Sequence, residues 1–71
     1  MMTESVNLKF NRAVTVDCED SRAGEVYGRA FCNGQILRDV TLEEVSKNFS
    51  NIHFENGDLA IAVPSNSFKI L

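Results

Sequence analysis

The chain has 71 residues, 44% hydrophobic and 24% charged, with a formal net charge of −3. That is one domain, 1–71, in which a single core supplies only about 3–5 kcal/mol net. The composition excludes a disordered segment, and the acid excess argues against a general attraction to phosphate backbones or anionic membranes.

Cys18 and Cys32 are too far apart for a Cys-x-x-Cys motif and too few for a secreted disulfide scaffold, so a reduced, cytoplasmic setting is the simpler expectation. The start, Met-Met-Thr-Glu-Ser, carries neither a basic nor an apolar leader, and no run reaches the ~20 apolar residues of a membrane span. No membrane role is expected.

From Val6 to Cys18 the even positions are Val6, Leu8, Phe10, Arg12, Val14, Val16 and Cys18, a period-2 strand pattern interrupted only by Arg12. Either one long strand bends there, as in a small barrel, or Asn11-Arg12 is a tight turn between two short strands. The parity preserved across Arg12 favours the bend. Asp17 to Gly24 is an acidic loop.

Asn33-Gly34 then predicts a hairpin between Glu25–Cys32 and Gln35–Val40. A two-residue loop sets Phe31 opposite Ile36, Arg29 opposite Arg38 and Tyr27 opposite Val40; a three-residue loop shifts that register. Two facing arginines are unfavourable without an anion between them.

Thr41-Leu-Glu-Glu44 has the form of a capping box, and Leu42, Val45 and Phe49 recur at helical spacing, predicting a helix of about two turns. The second Asn-Gly pair, Asn56-Gly57, predicts a hairpin over Asn51–Pro64. Its expected apolar face is Ile52, Phe54, Leu59, Ile61 and Val63, with His53, Glu55, Asp58, Ala60 and Ala62 opposite. Phe68 to Leu71 reads as a short last strand or a hydrophobic clasp.

The expected fold is therefore mostly β, in the order β-β-β-α-β-β. It would be a small five-stranded barrel or strongly bent sheet with one short helix. This order resembles that of the oligonucleotide/oligosaccharide-binding (OB) barrels. SH3-like barrels, including the Sm-like proteins, are similar in size and strand number but place the helix differently.

Tyr27, Arg29, Phe31 and Arg38 alternate aromatic and guanidinium groups, the composition of a platform for single-stranded RNA or DNA. The plainer reading makes the two aromatics core residues and pairs the arginines with nearby acids. Asp17, Glu19 and Asp20 could offer oxygen ligands to a hard cation, but without the spacing of a known loop they read as solvated charge and no metal is expected. His53, the only histidine, has no sequence partner for acid–base work. With no nucleophile elbow, phosphate loop or paired carboxylates, neither catalysis nor a cofactor is expected. The leading expectation is a non-catalytic binding module that joins copies of itself or another protein, with Phe68, Ile70 and Leu71 as the contact. Single-stranded nucleic-acid binding is the alternative.

Overall fold

The structure, a computed structural model, describes residues 2–71. It holds seven strands: β1 Val6–Phe10, β2 Val14–Glu19, β3 Val26–Phe31, β4 Ile36–Glu44, β5 Phe49–His53, β6 Leu59–Pro64 and β7 Phe68–Ile70. All pair antiparallel in one open sheet ordered β3-β2-β6-β5-β4-β1-β7. The mostly β expectation stands, but the five-stranded OB-like or SH3/Sm-like barrel with a helix does not. Among the described residues there are seven strands, the sheet is not a closed barrel, and the helical content is a single 3-10 turn at Ser65–Ser67.

The expected helix is the end of β4. Val40 and Leu42 are buried while Glu44 is exposed, and Thr41 to Glu44 pair with His53 to Ser50 on β5. A two-turn helix has little stability of its own, and β-branched residues flanked by pairing partners go to the sheet. Of the residues assigned to the helix's apolar face, Val45 is exposed in the turn after β4 and Phe49 is exposed as the first residue of β5.

The first strand pattern splits at Asn11–Ala13 into β1 and β2, which are neither one bent strand nor a hairpin. β1 pairs with β4 and β7, whereas β2 pairs with β3 and β6. The parity of the buried residues nevertheless holds, with Leu8, Phe10, Val16 and Cys18 all in the core. The corner between the strands is clasped by the 3-10 turn: Arg12 Nη2 donates to Asn66 Oδ1 at 2.7 Å, and the Asn11 amide donates to Ser67 O at 2.8 Å.

Both Asn-Gly pairs make turns, but neither is the two-residue hairpin loop. At Cys32–Gln35, the Gln35 N–H donates to Cys32 O at 3.0 Å, and of the central pair only Gly34 has positive φ, at 85°. This is the type II pattern, which splays the flanking strands. β3 and β4 accordingly part, and Arg29 lies opposite Val16 instead of Arg38.

At Phe54–Asp58, Gly57 (φ 95°) donates to Phe54 O at 3.0 Å while Phe54 donates to Asp58 O at 2.9 Å. That is a three-residue loop ending in a left-handed glycine. It moves the register by one, so that His53 faces Leu59 and Ile52 faces Ala60. Ala60 is therefore in the core, while Leu59 and Ile61 are only partly buried.

Val63 regains the inner face through a bulge. Ala62 has φ 53°, and its N–H donates to Asn51 Oδ1 at 2.9 Å. The β1–β4 pair repeats the device, with Asp39 at φ 55° donating to Asn7 Oδ1 at 3.0 Å. In both cases one asparagine opposes two residues of the bulged strand, with Leu8 on Leu37 and Val6 on Val40, then Ile52 on Ala60 and Ser50 on Val63. Bulges bend a strand and increase its twist, and these two curl the sheet over its own core. As a result the Phe10 ring of β1 stacks on the Phe31 ring of edge strand β3 at 4.7 Å and 6°.

Candidate functional site

The proposed aromatic–arginine platform is only partly assembled. Tyr27, Arg29 and Phe31 share one face of β3, but the Phe31 ring is fully buried in the core stack. Arg38 stands on β4, which does not pair with β3. Phe54, absent from the sequence-based set, supplies the missing ring: Arg29 Cζ lies 4.5 Å from its centroid and 5.2 Å from that of Phe31. Cation–π contact of this kind holds a guanidinium in place without a carboxylate. Among the described residues Arg29 has no carboxylate within ion-pair distance.

Neighbouring polar groups are used within the fold. Asp58 Oδ1 accepts from the Ser21 N–H at 3.0 Å, which is the main reason its carboxyl lies below the usual range. Asp20 Oδ1 accepts from the amides of Arg22 at 2.7 Å and Ala23 at 3.0 Å, closing its own turn. Asp17 and Glu19 point outward from β2. No group of three or more His, Cys, Asp or Glu among the described residues is arranged to hold a metal ion.

His53 Nε2 lies 2.9 Å from Glu43 Oε1 across the β4–β5 ladder. The Glu43 carboxyl is held below the ordinary range first by that contact and then by Asn51 Nδ2 at 3.3 Å. Cys18 is buried, and burial pushes its thiol up, away from the reactive thiolate. Cys32 is exposed at the β3–β4 turn.

The last strand behaves as two kinds of residue. Phe68 packs edge-on against Phe10 at 5.9 Å and belongs to the fold. Ile70 and Leu71 stay 52% and 60% exposed, and with Met2 and Leu42 Ile70 lines a surface cleft of about 400 Å³. β7 and β3 are the two ends of the sheet, each with one side of its backbone unpaired. At the β3 end Val26 is 60% and Tyr27 39% exposed. Edge position is the signal that sequence reading missed, because it depends on a strand order in which β6 separates β2 from β5.

No helix among the described residues is long and apolar enough to cross a membrane. No protein-family model matches this chain, and neither the curated proteins nor the solved structures yield a match.

Proposed function

We propose that this chain is a non-catalytic binding module that works by strand addition at the free edges of its sheet, to a copy of itself or to another protein. The observation that carries the reading is the coincidence of open edges with exposed apolar side chains: Val26 and Tyr27 at β3, Ile70 and Leu71 at β7. Edge strands with unpaired backbone and apolar flanks are templates for another strand. Ile70 and Leu71 remain the contact residues of this proposal, and Phe68, partly buried and packed against the core, supports them.

The test is a photoreactive phenylalanine analogue placed at position 26, 70 or, as control, 15, with cross-linking in the expressing cell. Protein adducts at 26 or 70 and none at 15 are expected. Adducts at neither edge would sink the reading.

The alternative of single-stranded nucleic-acid binding keeps one supporting observation, the Arg29 guanidinium held over Phe54 without a carboxylate. It requires Arg29→Ala to weaken oligonucleotide binding and to reduce the salt slope by about one. Equal affinity for labelled RNA and DNA in the parent and the variant would remove it.

A further inference from the structure

The outer faces at the two ends of the sheet carry opposite charge. At the β7 end, Lys9 on β1 stands directly opposite Lys69 on β7, with Ile36 on the other side of Lys9. Neither lysine has a carboxylate within ion-pair distance among the described residues. A like-charge pair directly across a ladder is destabilising on its own. At the β3 end, Asp17 and Glu19 of β2 face outward beside Gly28 and Val26 of β3. We infer that copies of this chain join head to tail, β3 of one beside β7 of the next, so that the Lys9/Lys69 pair lies against the Asp17/Glu19 stripe. This inference rests on the edge-binding reading above and commits it to one occupant, a second copy.

Strand direction and hydrogen-bond phase agree with this geometry. Directions alternate across seven antiparallel strands, so β3 and β7 run the same way. Joining them with the outer faces continuous therefore makes a parallel pair. The Asp20 N–H to Glu25 O bond and the unbroken β2–β3 register turn the backbone groups of Val26, Gly28 and Ala30 to the free edge. On β7, the Leu71 N–H to Asn7 O bond fixes the phase so that Phe68 and Ile70 face the free edge. In a parallel ladder Gly28 then bonds to Phe68 and Ile70 of the next copy, with Lys69 beside it.

Asp17 lies one strand beyond Gly28, two strand spacings from that Lys69, or about 10 Å between Cα atoms. The four-carbon lysine stem spans most of that gap. Nothing obstructs it at Gly28, where even an added Cβ would meet no atom within 4 Å.

Like-with-like pairing is disfavoured by the same charges. Joining β7 to β7 brings lysine pairs together, and joining β3 to β3 brings Asp17 and Glu19 together. A heterologous contact of this kind closes into a ring or continues as a filament.

The experiment is the solution mass of the full chain by light scattering, for the parent, Gly28→Pro, Ile70→Pro and an equimolar mixture of the two. Each proline removes an edge-facing N–H and leaves the intramolecular ladder intact. The parent is expected to exceed monomer mass as concentration rises, and to fall back as salt shortens the Debye length below about 10 Å. Each proline variant alone should be a monomer, and the mixture should stop at a dimer, since only one competent edge of each kind remains. Circular dichroism checks that the variants fold. If they do not, Asp17→Lys/Glu19→Lys, confined to exposed side chains, should weaken association about tenfold or more.

Two results overturn the inference: a parent that stays monomeric at high concentration and low salt, or a Gly28→Pro variant that still dimerises through β7. Either leaves the edge-binding reading standing if cross-links to another protein form at position 26 or 70. Loss of those cross-links would take that reading down as well.

Discussion

Among the described residues, Ala62 and Asp39 are the two non-glycine residues held in the left-handed region, and each has its N–H bound by an asparagine on the facing strand. An L-residue with a Cβ costs roughly 1–2 kcal/mol there, and asparagine or aspartate less. Ala62→Gly should therefore raise the thermal midpoint by up to about 4–8 °C, after the larger unfolded-state entropy of glycine is set against the relief. Asp39→Gly should gain less. A fall in midpoint for Ala62→Gly would mean that the bulge is not strained.

Two carboxyls give a second residue-scale expectation. Glu43 is depressed below its ordinary 4.5 by His53 and then Asn51, and Asp58 below 3.8 chiefly by the Ser21 amide. Each binds its proton less readily folded than unfolded. Its contribution is complete above the ordinary value and is lost as pH falls through the lower, folded-state value. Urea midpoints taken from about pH 6 down to about pH 2.5 should decline, and Glu43→Gln and Asp58→Asn should each flatten the decline. Both groups face solvent, so the effect is small.

At the scale of elements, what could be read from the chain was local parity. Leu8, Phe10, Val16 and Cys18 were placed inward correctly because a strand alternates whatever it pairs with. The turns at Asn33-Gly34 and Asn56-Gly57 were also legible, since both need a left-handed glycine. Their loop types were not, because type I′, type II and the three-residue loop share that requirement.

The residues of Thr41–Glu44 satisfy both a capping box and a strand, and only the presence of β5 on one side and Thr3, whose N–H donates to Leu42 O at 2.8 Å, on the other decides. The contrast is measurable. Glu44, exposed at a strand end, should tolerate alanine within about 0.5 kcal/mol, where a capping residue would cost more. Leu42, nearly buried, should cost about 2–5 kcal/mol when cut to alanine. That loss rivals the whole stability of a core this size, so Leu42→Ala should populate unfolded chain at room temperature, as seen by tryptophan-free near-ultraviolet circular dichroism. Of the candidate site, Ile70 and Leu71 were legible as exposed apolar ends. The Lys9–Lys69 juxtaposition was not, because nothing local brings residue 9 beside residue 69.

For the molecule as a whole, the decisive fact is that β6, late in the chain, sits between β2 and β5. Without it the sheet is two separate ribbons: β3 with β2, and β5-β4-β1-β7. The second hairpin is therefore expected to form before β6 docks on β2, since β6 reaches β5 by a short turn and β2 only across more than forty residues, Cys18 to Ala60. Such a route pays loop-closure entropy before most of the core contacts reward it, which places refolding in the millisecond-to-second range instead of microseconds. Until β6 docks on β2, β2 and β6 each expose an additional ladder edge. During that interval the chain offers four strand edges instead of two, and crowding at high concentration should divert refolding towards mispaired aggregates. Dilute refolding should be a single exponential whose yield, not whose rate, depends on protein concentration.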